Sequence, residues 1–338
     1  MKIIITGGAG FLGVRLARTL LAAGSLSING QAAQRIERIT LADRVAPPAD
    51  LAADPRIESV VGDLNAQLQP GSGNLVAARA DVALVYHLAA AVSGECEADF
   101  DLGMHSNFAA THALLEASRA LKTQPMLVFA SSLAVFGQST LLKLPEVVTD
   151  TTLPTPQSSY GIQKYIGEQM VADFGRKGFI RARNVRLMTV SVRPGKPNGA
   201  ASGFFSGMIR EPLAGVESVV PVAASTQVAL SSPARTIEGL LRAAQASDAD
   251  WGPLIAMNLP AMTTHVGAMA DALKNIAGGE HYALLKWQID PQIDRIVQTW
   301  PTRVAAPRAN ALGLQADSDF ETIVRAYISE NPDALRKI

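Results

Sequence analysis

Tyr160 and Lys164 stand four residues apart, downstream of a Ser131-Ser132 pair and of an opening Thr6-Gly7-Gly8-Ala9-Gly10-Phe11-Leu12-Gly13 segment. Residues four apart share one face of a helix, so an ammonium at 164 lies beside a phenol at 160 and stabilises its phenolate. Tyrosine then serves as an acid or base near neutral pH. The glycine segment suits a dinucleotide. Together the three segments make a complete redox site, able to move a proton and a hydride.

The elements that must position these residues read clearly around the glycines. Lys2 to Ile5 is a short apolar run suited to a buried parallel strand, and Phe11 to Ala23 is an amphipathic helix. Gly7 allows the tight turn, Gly10 lets the backbone approach a pyrophosphate where Phe11 and Leu12 open the helix, and Gly13 lets that helix pack closely on the strand. An ordinary glycine-rich turn is the competing reading, and it leaves the register of strand, glycines and helix unexplained. A second strand, Arg38 to Ala42, ends in Asp43, where a dinucleotide fold places the acid that binds the adenosine ribose. The spacing from Gly13 exceeds the usual ~20 residues, and Ser25 to Gln34 reads as a polar insertion. A carboxylate at 43 repels a 2′-phosphate and favours NAD over NADP, while Arg44 beside it works in the opposite direction.

Further strands are expected at Ile57 to Val61, Val82 to Leu88, Met126 to Ala130 and Ala182 to Val190, with helices at Ser106 to Leu121 and Ser158 to Arg176. Such alternation implies an α/β fold, a doubly wound parallel sheet covered on both faces. Asp63 and Leu64 follow one strand and Leu88, Ala89 and Ala90 another, at the carboxyl edge where a cofactor binds. Asp63 can accept from an adenine amino group, and the small Ala89 and Ala90 let the chain pass close to the cofactor. His87 reads as a packed strand-end histidine. After about Val192, Pro194, Gly195, Pro197, Gly199 and Gly203 break the alternation. The expected division is therefore a dinucleotide-binding part over residues 1–191, with a returning segment near 250–260, and a smaller substrate-binding part over 192–338.

Composition agrees: 338 residues, 48% hydrophobic and 18% charged, are ordinary for a globular enzyme. Equal counts of 30 acidic and 30 basic residues argue against a nucleic-acid or membrane-surface partner recruited by bulk charge. No apolar run approaches the ~18 residues of a membrane span, and no signal-peptide layout precedes the glycine turn, so a cytoplasmic protein is expected. The single cysteine, Cys96, excludes an internal disulfide and a cysteine-based zinc cluster. No second His or acid stands at ligand spacing from His87, so no metal is expected.

The motifs in order resemble the extended short-chain dehydrogenases/reductases, the group that includes nucleotide-sugar epimerases and dehydratases. The resemblance spans nearly the whole chain: Thr6 to Gly13, Asp43, Asp63-Leu64, His87 to Ala90, Asn107 with Leu114 to Ala117, Ser131 to Gly137, Tyr160 to Lys164, and Trp300-Pro301 with Arg308 to Gly313. It implies a Rossmann-type fold binding NAD, with Ser131 and Leu187 also at the cofactor. Tyr160 is then the acid/base, and Lys164 holds the nicotinamide ribose and lowers the tyrosine pKa. Ser132 binds the substrate oxygen and Asn107 supports a proton relay. It also implies a homodimer through the helices at 106–121 and 158–176, whose Ala109, Ala113, Leu114, Ile166 and Met170 exceed what covering the sheet requires.

The substrate reading turns on departures from the nucleotide-sugar enzymes. Thr189 stands where those enzymes carry an Asn before a Tyr-Gly-Pro turn, and Ser232-Pro233-Ala234-Arg235 stands in place of His-Val-Asp-Asp. The Val192 to Asn198 segment with Gly203 to Arg210 resembles the D-erythronate dehydrogenases of the superfamily, which implies oxidation of a small sugar acid at C2 to the 2-keto acid. Arg193, Lys196 and Arg235 are the candidate carboxylate ligands, with Arg210 behind them. A diphosphate would attract the same cations, so a nucleotide-sugar epimerase or dehydratase is the alternative, and a non-catalytic dinucleotide sensor a third.

Overall fold

In the computed structural model, which describes residues 1–71, 73–195 and 200–336, the seven principal strands form one sheet. They are β1 (Lys2–Thr6), β2 (Arg38–Asp43), β3 (Ile57–Val61), β4 (Val82–His87), β5 (Met126–Ser132), β6 (Arg181–Leu187) and β7 (Met257–Asn258). Their spatial order is β7-β6-β5-β4-β1-β2-β3, and the register is parallel from β3 through β5. The order reverses between β1 and β4. In a doubly wound sheet that switch point opens the crevice where a ligand binds.

Helix α1 (Phe11–Ala23) starts at Gly10 and stops at Gly24, whose φ of 67° and N–H bond to the Leu20 carbonyl close its last turn. Helices α2 (Ala110–Ala120) and α3 (Ser159–Arg176) pack on the sheet. Ile4, Val85, Leu114, Leu127, Phe129 and Val171 form the core beneath them.

The chain divides into two compact units: residues 1–132, 159–186 and 237–257, and residues 133–158, 187–236 and 258–338. The division differs from a break at 191. Residues 133–158 leave the first unit after the end of β5, and the returning segment is longer than 250–260 because it includes most of helix α4 (Pro233–Gln245). The second unit contains a three-stranded sheet of Thr189–Val190, Gln227–Ser231 and Met262–His265, and a parallel pair of Ser218–Val220 with Leu285–Trp287.

Four local expectations are corrected. The run from 182 to 190 is two strands, because Met188 interrupts it and Thr189–Val190 pairs with Leu230–Ser231. The helical stretch expected from Ser106 begins at Phe100 and passes through a π-helical turn, Met104–Ala109. The polar insertion carries paired strands, Ser25–Leu26 with Gln34–Arg35, and the amides of Asn29 and Gly30 cap the Ala244 and Gln245 carbonyls at the end of α4. Leu114 is fully buried in the core and is not surplus surface. Among the described residues, no helix is long and apolar enough to cross a membrane.

Candidate active site

The glycine turn is built by close backbone approach. Gly7 has φ +69°, and a Cβ on it would stand 2.8 Å from the Ala89 amide nitrogen. At Gly13 a Cβ would lie 2.1 Å from the Gly7 carbonyl oxygen, so this glycine admits the turn's own backbone more than the strand expected to need it. The chain crowds Gly10 little, with only the Gly7 carbonyl at 3.2 Å, and no side chain caps α1 there. An uncapped helix N-terminus opened by glycines suits a pyrophosphate.

Asp43 ends β2 beside this turn. Its carboxylate accepts the amides of Ala9 at 3.0 Å and Arg44 at 2.7 Å, and the Gly7 amide donates to the neighbouring Ala42 carbonyl at 2.8 Å. The acid therefore orders the glycine turn as well as standing at the position of a ribose ligand. Across the switch point, the amides of Leu88 and Ala89 donate to the Thr6 carbonyl and hydroxyl at 3.1 and 3.3 Å, which draws the small residues Ala89 and Ala90 along Gly7. Asp63 caps the short helix Leu64–Gln67 through the Ala66 amide and meets His105 Nε2 at 3.2 Å. Burial works to raise its carboxyl, and the Ala66 and His105 bonds outweigh it and hold it below the usual range. These residues fit a dinucleotide: a cradle that Cβ atoms would fill, a helix N-terminus and an acid at the end of the second strand.

His87 is buried between the hydroxyls of Thr6 at 2.7 Å and Thr111 at 2.9 Å. Burial, aided by the Lys164 charge, pushes its pKa down to about 3, which keeps the ring neutral. Among the described residues, no group of three or more His, Cys, Asp or Glu could hold a metal ion.

Tyr160 and Lys164 lie on α3, with the Lys164 Nζ 5.8 Å from the centre of the tyrosine ring. That ammonium donates to the Ala130 carbonyl at 2.9 Å and lies 4.9 Å from the centre of the Phe129 ring. Ala130 stands two residues before Ser132 on β5, so the strand end and the helix present one cluster. Burial pushes the Lys164 pKa down to about 8, against the opposing pull of the Glu168 charge.

Two assigned residues are held in the buried hydrogen-bond network. The Ser131 hydroxyl donates to Glu168 at 2.6 Å within the core. Successive strand residues point to opposite faces, which separates Ser131 from Ser132. Asn107 is buried in the π-helical turn and holds Ala91 from both sides: its Oδ1 accepts the Ala91 amide at 2.8 Å and its Nδ2 donates to the Ala91 carbonyl at 3.1 Å. Its Nδ2 also reaches Gln163 at 2.8 Å and the Cys96 sulfur at 3.3 Å, so it anchors the segment after Ala90. Burial pushes the Cys96 thiol up to about 11, leaving it protonated. Leu187 ends β6 and is buried.

Of the candidate substrate cations, Arg193, Arg210 and Arg235 lie in the second unit. Arg193 donates through Nη2 to the Ser202 hydroxyl at 3.2 Å and through its amide to Ser206 at 3.0 Å, while Arg210 holds the Arg193 carbonyl at 2.7 Å. Arg235 is half-buried in the first turn of α4, its amide on the Ser232 hydroxyl at 3.2 Å. Lys196 lies outside the described residues. The residues missed by the sequence reading are Glu168 and Arg186, whose ion pair sits one turn beyond Lys164. The continued spacing of four from Tyr160 to Lys164 to Glu168 was the available signal.

Residues 3–228 match the family model described as the NAD dependent epimerase/dehydratase family. The chain is 45% identical over 332 residues to D-erythronate dehydrogenase of Cupriavidus necator, covering 98% of each. It is 38% identical to D-erythronate dehydrogenase of Haemophilus influenzae, covering 97% of this chain and 99% of that one. Among solved structures, the nucleoside-diphosphate-sugar epimerase from Agrobacterium tumefaciens superposes with a TM-score of 0.88 at 35% identity, covering 99% of this chain and 95% of that one.

Proposed function

This chain belongs to the NAD-dependent epimerase/dehydratase family, an enzyme of the extended short-chain dehydrogenase/reductase type, and we propose that it oxidises a small sugar acid at the C2 hydroxyl to the 2-keto acid. The observation that carries the reading is the 45% identity with D-erythronate dehydrogenase of C. necator over 98% of both chains. This chain also keeps Ser132, Tyr160 and Lys164.

Gly7, Gly10, Gly13, Asp43, Asp63 and the Leu88 to Ala90 segment hold NAD, together with Tyr160 and Lys164. When bound, NAD supplies the acceptor for the hydride lost from C2. Tyr160 takes the proton of the C2 hydroxyl as the C2–O bond becomes a carbonyl, and Ser132 holds that oxygen. The Lys164 ammonium stabilises the phenolate that Tyr160 must present beforehand. Asn107 keeps Ala91 and the preceding cofactor segment in place, and Arg193 or Arg235 holds the carboxylate.

We further infer a homodimer. Ala109, Ala113, Ile166 and Met170 are only half-buried, and Ile162 on α3 is 47% exposed. Sedimentation showing only monomer at micromolar concentration would contradict it.

Supplying NAD with a panel of aldonates tests the function. Net accumulation of reduced cofactor with a four-carbon acid is the expected result. No reduced cofactor with any acid, alongside epimerisation of a nucleotide sugar, would replace this reading with the alternative.

A further inference from the structure

Glu168 enters no step of the proposed reaction, yet its ion pair with Arg186 is buried on both sides, with side-chain exposures of 2% and 4%. Arg186 grips the carboxylate with two bonds of 2.8 Å, and Ser131 adds a third at 2.6 Å. Asn184, also on β6, donates to the Glu168 backbone carbonyl at 2.9 Å. A buried ion pair is a poor device for stability, because removing two charges from water offsets most of their attraction. Its value lies in geometry.

That geometry centres on the seat of α3. Ser131 stands between Ala130, which accepts the Lys164 ammonium, and Ser132. The helix is thus fastened to β5 at two adjacent points, by Lys164 to Ala130 and by Glu168 to Ser131, one helical turn apart. Between them Gly167 presses on Phe129, whose ring carbon would meet an added Cβ at 2.6 Å. Any rotation or slide of α3 must break one of these contacts, and would carry Tyr160 and Lys164 away from Ser132.

We propose that Glu168 is a positioning residue: through Ser131 and Arg186 it fixes the rotation and height of α3 on β5, and with them the placing of Tyr160 and Lys164 against Ser132. The proposal rests on Tyr160 and Lys164 acting as described above. Glu168 also has an electrical consequence. The groups around the Lys164 ammonium are Cys96 on the Ser93–Ala98 helix, His87 on β4, and Tyr160 and Glu168 on its own helix, with Arg186 on β6 behind Glu168. Removing the Glu168 charge leaves Arg186 uncompensated near that ammonium, which favours loss of its proton.

The test is Glu168→Gln, which keeps the side chain's shape and deletes its charge. Correct folding is checked by circular dichroism. Two readouts are followed in the NAD-bound enzyme: steady-state kinetics, and titration of the Lys164 side chain by NMR with labelled lysine, assigned with Lys164→Arg. The expected result is a kcat lower by about ten- to a hundred-fold with the KM for NAD within about threefold, and a Lys164 midpoint lower by roughly one pH unit. A merely structural role would lower the folded fraction or the melting temperature and leave kcat per folded enzyme unchanged. A folded variant with wild-type kcat or an unmoved midpoint overturns the proposal. Should Glu168→Gln fail to fold, Ser131→Ala decides, because it removes one anchor and leaves the ion pair. Its kcat is expected to fall about three- to tenfold, and wild-type kcat would overturn the proposal. If the wild-type enzyme oxidises no sugar acid, the substrate reading fails, while the kcat of Glu168→Gln on the nucleotide sugar it then turns over still decides the role of Glu168.

Discussion

The Lys164 ammonium donates to the Ala130 carbonyl at 2.9 Å from a fully buried position, which fixes the charge against the strand that ends in Ser132. Burial, the dominant cause, pushes its pKa down to about 8. The ammonium is present below that value and lost as pH rises through it. If the charge supports the Tyr160 phenolate, kcat/KM, which reports the free enzyme, should fall on the alkaline side with a midpoint near 8. Lys164→Arg keeps its charge throughout and should abolish that limb, at a reduced rate. A wild-type profile that stays level to about pH 10 would contradict this.

Asp43 performs two tasks, ordering the Ala9 and Arg44 amides and presenting a carboxylate at the ribose position. Asp43→Ser should therefore weaken NAD and relieve the repulsion of a 2′-phosphate. The ratio of kcat/KM for NAD over NADP should drop by roughly ten- to a hundred-fold, the equivalent of one bond to a charged group. Steady-state kinetics with both cofactors check it. A wild type that prefers NADP would show that Arg44 dominates.

Gly13 has no room for a side chain, since a Cβ would stand 2.1 Å from the Gly7 carbonyl. Neither atom belongs to a flexible side chain, so the turn itself must move. Gly13→Ala should destabilise the protein by about 1–3 kcal/mol and abolish measurable NAD binding. Thermal unfolding and calorimetric titration with NAD measure both. Unchanged NAD affinity would remove the glycine turn from the cofactor site.

Arg193 and Arg235 divide the carboxylate prediction. Losing a bond to a charged group costs about 1.5–3 kcal/mol, so alanine at the true ligand should lower kcat/KM for the acid by roughly ten- to a hundred-fold. NAD affinity should be spared. Arg193→Ala and Arg235→Ala both oxidising the acid normally would exclude this mode of binding.

Much of this arrangement was legible because it rests on short-range rules. Helix α1 follows from its glycine ends and apolar stripe, and β1 to β5 from apolar runs that only a sheet covered on both faces accepts. Tyr160 and Lys164 followed from helical spacing. What was hidden depends on partners distant in sequence. The fate of Ser131 is set by Glu168, thirty-seven residues away, although strand alternation alone forbids two neighbouring serines from sharing a face. The π-helical turn that carries Asn107 has no signature in a 3.6-residue period. The insertion after α1 reads as polar, and the contacts its Asn29 and Gly30 amides make are with the end of α4, more than two hundred residues later.

The central claim is that Tyr160 removes the hydroxyl proton at C2 of a sugar acid while the C2 hydrogen leaves for NAD. The direct measurement uses D-erythronate carrying deuterium at C2, with the reduced cofactor analysed by mass spectrometry for wild type and Tyr160→Phe. The account predicts that wild type yields reduced cofactor carrying the deuterium. It also predicts that Tyr160→Phe yields it about 10²–10⁴-fold more slowly with NAD binding nearly intact. Unlabelled reduced cofactor from the C2-deuterated acid, or wild-type turnover by Tyr160→Phe, would contradict it.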